Sequence, residues 1–414
     1  MKKIVAILIK SRTIITSSLI VCAVFFLTMC MDKKETGSEK KIEYKDFAGS
    51  ESCKSCHKNI YDTHINTAHY HTSELPTAKS IKGNFEPGSN FFPYDNGSYT
   101  AIEKTDSGFF QVEYFGIKER QRHPFDIVTG SGTKGQTYLW WDTNKLFQLP
   151  ITYFTQAHQW CNSPGFPERA VFKRIITSRC LECHSTFISK TSPPEVPRED
   201  FDKKTIIYGV DCERCHGPAA EHVNYQTQHP KDSTAKFIIN PAKFTRQQSL
   251  DLCALCHGGS LQKTKPSFSF VAGDKLSDFF TWDTTVQSAA NIDVHGNQLG
   301  LLKFSQCFIQ NNSLTCTSCH NPHQNQKNEL TVFSQKCMGC HNKEHNNFCT
   351  VKVDEKILQN NCIDCHMPKQ ASTAIAVFLP GQSVLTPSLI RTHLIKKYPE
   401  ETAKYLSSLK HAEK

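Results

Sequence analysis

Hydrophobic positions along the chain fall into two regimes. Between residues 98 and 148 they tend to recur at every second position. In Gly108–Phe115, Phe110, Val112 and Tyr114 alternate with Gln111 and Glu113, which predicts a half-buried strand. Ser98–Thr105 is a matching run, joined to it by Asp106-Ser107, and Asp95-Asn96-Gly97 signals a turn before it. Gln136–Trp141 and Lys145–Gln148 flank Asp142-Thr143-Asn144 and predict a second hairpin. A small antiparallel sheet is expected within 58–179. From Cys180 onward the pattern reads as helices and loops, with short helices at Ser249–Leu255 and Phe333–Met338. Pro399 with Glu400 and Glu401 opens a final helix, with Lys404 and Lys410 late in it and Tyr398, Leu406 and Leu409 as its buried stripe. The expected fold is mostly α, with extensive irregular loops and a small antiparallel β insertion.

The N-terminus has a different pattern. Lys2, Lys3, Lys10 and Arg12 precede an apolar run, Ile14 to Met29, that is short for a membrane span. Leu27 stands three residues before Cys30, as in a bacterial lipobox, although Met29 is larger than the residue usual there. An uncleaved anchor and a plain secretory signal are the other readings. The polar stretch that follows reads as a flexible tether. The expected organisation is a signal peptide at 1–29, a tether at 30–46, one domain at 47–394 and a C-terminal helix at 395–414.

The chemistry comes from cysteine spacing. Seven Cys-x-x-Cys-His segments occur: Cys53-Cys56-His57, Cys180-Cys183-His184, Cys212-Cys215-His216, Cys253-Cys256-His257, Cys316-Cys319-His320, Cys337-Cys340-His341 and Cys362-Cys365-His366. They are numbered sites 1 to 7 below. This is the attachment motif of c-type haem. The two thiols bond the haem vinyl groups, and the adjacent imidazole lies under the iron. Zinc and thiol–disulfide chemistry also use Cys-x-x-Cys. They do not explain why a residue making up 19 of 414 positions follows every pair. Seven covalent haem c groups are the implied cofactors, and their attachment outside the reducing cytoplasm agrees with the leader. Of the spare cysteines outside the leader, Cys161 reads as a packed thiol, and Cys307 and Cys349 as either a disulfide or two separate thiols.

Composition adjusts this reading in two places. The hydrophobic fraction, 38%, is low, and porphyrins would supply the missing apolar core. The net charge of +9 includes the four leader cations. Haem propionates would turn the remainder negative, so nucleic acid is not implied.

Further fragments carry a family resemblance: Gly130-Ser-Gly132 … Gly135-Gln-Thr-Tyr-Leu139, Gln148-Leu-Pro150, Trp160 … Asn162-Ser-Pro-Gly165, Cys212-Glu-Arg-Cys-His-Gly-Pro218 … His222, Cys316-Thr-Ser-Cys-His-Asn-Pro-His323 and Cys362-Ile-Asp-Cys-His-Met-Pro368. Over Gly49 to His393 the chain resembles the multihaem cytochromes with a cytochrome c-554-type domain, whose core is often fused to tetratricopeptide repeats. Related elements recur in pentahaem nitrite reductases, but no Cys-x-x-Cys-Lys is present. The resemblance implies that His222 and His323 are distal iron ligands, and that His69 or His71 serves likewise. His323 and His345 follow their own proximal histidines by three and four residues, and His222 follows by six. Chain that short cannot cross the porphyrin rim, so each is expected on a neighbouring iron. His295 and His393 complete the expected set. His64, His123, His158 and His229 are weaker candidates, and His411 is weaker still. Beyond the leader, methionine occurs only at 31, 338 and 367, so bis-histidine ligation is expected.

The leading functional expectation is an exported electron carrier, periplasmic or on the outer membrane. Its partners would be a quinol-oxidising membrane complex or a terminal reductase. The alternatives are a reductase of small nitrogen or sulfur oxyanions at one open iron, and a unit of an extracellular polymer. For the enzyme, site 1 with Arg120, Arg122 and His123 is the candidate anion site. If Cys30 carries lipid, metabolic labelling with a palmitate analogue marks the wild type and not Cys30→Ala; equal labelling of both would rule the anchor out.

Overall fold

The strands begin where the period-two pattern places them. In a computed structural model, which describes residues 41–193, 196–282 and 288–412, eleven strands lie between sites 1 and 2. They are β1 (Ser73–Glu74), β2 (Phe91–Pro93), β3 (Ser98–Thr105), β4 (Gly108–Phe115), β5 (Lys118–Pro124), β6 (Ile127–Thr129), β7 (Gly135–Asp142), β8 (Lys145–Gln148), β9 (Ile151–Phe154), β10 (Gln159–Asn162) and β11 (Arg174–Ile175). Strands β2 to β5 pair in sequence order. The β3–β4 hairpin turns at Asp106-Ser107, with Thr105 opposite Gly108. The other seven make a second antiparallel sheet, in which β7 pairs with β6, β8 and β9. Its β7–β8 hairpin turns at Thr143-Asn144, where Thr143 takes φ 55°.

A core of Ile102, Phe125, Val128, Tyr138, Trp140, Leu149, Ile151 and Trp160 is shared by these strands. Trp160 donates its indole N–H to the Asn84 carbonyl at 2.7 Å. Gly83 lies so close that a Cβ there would sit 2.1 Å from the indole ring, so only glycine fits.

Gln111 departs from the alternation. It is completely buried. Its amide N–H donates to the Ile151 carbonyl at 2.7 Å, and its Oε1 accepts from Ile151 N–H at 2.9 Å. The side chain therefore pairs with backbone as a neighbouring strand would, joining the two sheets. Phe110 and Tyr114 on the other face are only half-buried. Arg122 covers Phe110 at 5.3 Å, and Tyr114 stacks on Tyr99 at 5.2 Å.

The expectation of a mostly α fold is overturned. The structure is 29% helical and 25% strand. Three more antiparallel pairs lie in the part read as helices and loops: β12 (Ser185–Lys190) with β13 (Phe201–Tyr208), β14 (Leu261–Lys263) with β15 (Phe280–Trp282), and β16 (Lys369–Val377) with β17 (Thr386–Arg391). The physical reason is economy of helix: several sites need little more than one helical turn, and the chain between them doubles back as hairpins. Strand β12 starts on the residue after His184.

The helices are mostly short. They are α1 (Ser50–His64), α2 (Ser178–His184), α3 (Cys212–His216), α4 (Ala220–Gln228), α5 (Arg246–His257), α6 (Gln298–Leu302), α7 (Gln306–Gln310), α8 (Leu330–Met338), α9 (Glu355–Asn360), α10 (Ile363–His366) and α11 (Pro399–Ala412). Helix α5 starts three residues before its expected Ser249. Thr245 and Gln248 form a capping box there, each side chain accepting from the other's backbone N–H. Along α11, Thr402, Tyr405, Leu406 and Leu409 are half-buried, and the Tyr405 hydroxyl meets Asn361 at 2.8 Å.

Chain near the expected tether's end is structured. Tyr44–Asp46 form a 3-10 turn, and the Phe47 ring packs 4.7 Å from that of Phe187. The leader, Cys30 and the tether up to residue 40 lie outside the described residues. Among the described residues no helix is long and apolar enough to cross a membrane.

Replacing Gln111 by Leu leaves both Ile151 backbone groups unpaired in the core. A loss of about 1–3 kcal/mol is expected, measured by chemical denaturation. Amide exchange at Ile151 should rise while haem absorption stays unchanged.

Candidate metal centres

Sites 2, 3, 4 and 7 each close a helix on the motif histidine. One turn separates the two cysteines, so both thiols lie on the same side of the helix end. In all four, an oxygen meets the imidazole Nδ1: Thr72 O for His184 at 3.4 Å, Ile239 O for His216 at 2.9 Å, Gln298 Oε1 for His257 at 3.1 Å, and Lys396 O for His366 at 3.0 Å. These acceptors place the proton on Nδ1 and leave the Nε2 lone pair for a metal. At site 1, the backbone kinks at His57 inside α1, at φ −113° and ψ 35°.

The imidazoles then pair across the fold. His257 faces His69 with ring centres 6.2 Å apart, His320 faces His393 at 6.2 Å, and His216 faces His323 at 6.0 Å. A metal–imidazole bond is about 2 Å long and the ring centre lies about 1 Å beyond the nitrogen, so opposed ligands of one metal ion have ring centres about 6 Å apart. Each pair leaves room for one iron. His295 lies near enough to His184 to disfavour its protonation, after burial. Burial, then the neighbouring His257, pushes His69 down to about 4; burial, then His320, does the same to His393. Both stay neutral at pH 7, the form a ligand needs.

The other expected ligands are placed differently. His71 turns Nδ1 to the Glu74 carboxylate at 3.1 Å, so of the two alternatives it is His69 that faces a motif imidazole. His222 presents Nδ1 to Lys236 O at 2.8 Å. His345 is exposed, held through its backbone N–H by Asn342. His64, a low-ranked candidate, is buried, and neither ring nitrogen has a hydrogen-bond partner. Its ring is 6.2 Å from that of His323, and its Nε2 lies 3.7 Å from Asp211. An orphaned buried imidazole is costly; here it marks space for a group that is not polypeptide. In sequence, seven residues after His57, it is indistinguishable from a core histidine.

Arg120, Arg122 and His123 do not assemble an anion site. Arg122 is held by Glu103 and Glu119 at 2.9 and 2.8 Å. Arg120 lies over Phe115. His123 packs on Trp140 and Phe172 at 4.0 and 4.8 Å. Cys161 is buried, its thiol toward Thr152 O at 3.5 Å, and burial raises its pKa far above the usual range. Cys307 and Cys349 are both unbonded.

The attachment points adjoin one another through the fold. At sites 1 and 3 the Cys53 and Cys212 thiols meet, and Glu213 accepts from the N–H groups of Ala48, Gly49 and Ala219, each at 2.8 Å. Arg214 of site 3 donates to Glu182 O in site 2 at 2.9 Å. Between sites 2 and 4 the Cys183 and Cys256 thiols meet, and Arg179 donates to Leu255 O at 2.8 Å. Cys253 meets Cys316 between sites 4 and 5, within the cluster of Leu250, Leu255 and Phe308. His320 of site 5 lies 5.1 Å from Phe333 in the helix leading to site 6. Cys337 meets Cys362 between sites 6 and 7, where Cys362 N–H donates to Ser334 at 2.9 Å.

A cluster of hydroxyl and amide donors from four residues around Asp293 was invisible in the sequence. Asp293 accepts from His295 N at 2.7 Å, Ser372 Oγ at 2.8 Å, Thr373 N at 2.6 Å and Oγ1 at 2.8 Å, and Ala374 N at 3.2 Å. Burial alone would raise this carboxyl, but the donors outweigh it and hold it at about 2. The His295 loop is thereby fixed to the β16–β17 hairpin.

Residues 167–217, which hold sites 2 and 3, match the family described as cytochrome c554 and c-prime. With the seven attachment motifs, this match supports a multihaem c-type cytochrome. The fold of the chain is similar to that of the outer cell wall cytochrome OcwA, with a TM-score of 0.55 and 14% identity over 87% of this chain and 81% of that one. No curated protein matches this chain. No three His, Cys, Asp or Glu side chains converge on one point among the described residues. Paired thiols with imidazoles opposed in twos suit haem.

The paired imidazole planes differ in mutual angle. They are 17° apart for His216 and His323 and 30° for His320 and His393, but 65° for His257 and His69. Near-parallel planes separate the iron d orbitals that perpendicular planes leave close in energy. Oxidised holoprotein should therefore show rhombic low-spin EPR signals together with a strongly anisotropic one. His69→Ala should abolish the anisotropic signal. His323→Ala should convert one rhombic iron to high spin with every haem still attached; an unchanged spectrum would show that His323 is not a ligand.

Proposed function

We propose that this cytochrome is an exported heptahaem electron carrier. Haem iron, when bound, supplies the one-electron chemistry. The chain supplies spacing, ligand identity and burial. The observation that carries the reading is the pairing of His69, His323 and His393 with motif imidazoles of other segments, at 6.0–6.2 Å. A histidine that follows one attachment site and faces the next holds two porphyrins close, and tunnelling rates fall steeply with distance.

Bis-histidine ligation keeps potentials low, because Met, which raises them, is scarce. Met367 adjoins His366 and Met338 lies within site 6. The contacts between neighbouring sites support electron passage from site to site. The leader, with a fold shared with a protein described as an outer cell wall cytochrome, supports an exported location. Lipid on Cys30 would tether the carrier near a quinol-oxidising membrane complex or a terminal reductase. A carrier is favoured over an oxyanion reductase because Arg120, Arg122 and His123 are engaged elsewhere.

Pyridine haemochrome assay with intact mass is expected to give seven haems. Reduced holoprotein is expected to give low-spin spectra and no steady turnover of nitrite, hydroxylamine or tetrathionate. Fewer than six haems would overturn the count, and a high-spin signal that shifts on adding one of these substrates, with turnover, would make the protein a reductase.

A further inference from the structure

We propose that residues 229–239 form a strap that orients two iron ligands together, His216 and His222, and that Tyr225, Asp232 and Lys236 latch it. This rests on reading His222 as an axial ligand. Two carbonyls three residues apart on the strap do the orienting. Lys236 O accepts from His222 Nδ1 at 2.8 Å, and Ile239 O accepts from His216 Nδ1 at 2.9 Å. Ile239 N–H returns a bond to His216 O at 3.0 Å. Between the two carbonyls, Phe237 takes φ 57°, a left-handed backbone that non-glycine residues hold only under tertiary constraint. At Gly217, a Cβ would sit 2.9 Å from Ile239 Cδ1, so the strap lies tight against the turn after site 3.

The latch holds an otherwise exposed segment. The Tyr225 hydroxyl donates to Asp232 Oδ2 at 2.7 Å, and Lys236 Nζ donates to the Tyr225 oxygen at 2.6 Å. Lys236 also lies 3.2 Å from Asp232 Oδ2 and 4.6 Å from the Tyr225 ring centre. Asp232 Oδ1 accepts from Thr234 N, and Gln226 donates to Thr234 O, each at 2.8 Å. Two irons are served. His216 belongs to site 3. The sites beside site 3 include site 1, whose Cys53 neighbours Cys212, and site 2, whose Glu182 carbonyl accepts from Arg214; His222 serves one of these neighbouring irons. An acceptor at Nδ1 strengthens an imidazole as a donor to iron. One strap therefore tunes both irons at once and links their potentials.

The test uses full-length holoprotein. Tyr225→Phe and Asp232→Ala should each raise hydrogen exchange across 229–239. In spectroelectrochemical titration with EPR, two low-spin components should shift together toward higher potential while the others hold. Asp232→Glu should restore both. His222→Ala is the separate check on the ligand reading, and should give one high-spin iron. If that variant stays fully low-spin, the ligand reading fails, and the latch variants should then move one component only. If His222→Ala gives the high-spin iron but the latch variants leave both potentials unchanged despite faster exchange, the strap is structural only and the proposal is overturned.

Discussion

Two imidazoles facing each other about 6 Å apart are the constraint around which this molecule is built. One member of each pair is placed by its own motif, a local matter of two thiols and a ring within five residues. The other must arrive from elsewhere. His69 reaches site 4 from just after site 1, His323 reaches site 3 from just after site 5, and His393 reaches site 5 from beyond site 7. Each pairing ties together distant segments, and together they leave little freedom in how the sites are arranged.

The polypeptide around these pairs is correspondingly specific about hydrogen bonds and spare in regular structure. Carbonyls of Thr72, Ile239 and Lys396 aim three motif imidazoles, and none of them belongs to a long helix or strand. Glu213 and Asp293 gather backbone N–H groups from separate segments. They do in loops what a ladder does in a sheet. The two sheets between sites 1 and 2 are the part of the molecule with a conventional aromatic and aliphatic core. They flank the chain that carries His69 and the acceptor at Thr72, through β1 and its pairing with β6.

The two hairpins of that region were legible because alternation and turn residues are local signals. Gln111 was not, because its role depends on Ile151 on another sheet. The α-rich expectation failed for a related reason. Thr205, Ile206 and Ile207 in β13 are good strand residues, but the segment's partner β12 begins inside the shadow of site 2, where attention to the motif suggests helix. His64 illustrates the limit for function: nothing in its neighbours along the chain distinguishes it, and only burial without a partner does.

The sequence by itself determined the chemistry. The Cys-x-x-Cys-His segments point to covalent haem c because two thiols and an imidazole act within one turn of backbone, where spacing in sequence is spacing in space. It also narrowed the distal ligands to a short roll, since the porphyrin rim forbids a histidine three residues on from serving its own iron. Only the tertiary structure decided which histidine meets which motif, that His69 and not His71 faces site 4, and which sites adjoin, such as site 1 with site 3 and site 2 with site 4. Those are contacts between residues tens to hundreds of positions apart, fixed by loop closure and packing, and no local pattern encodes them.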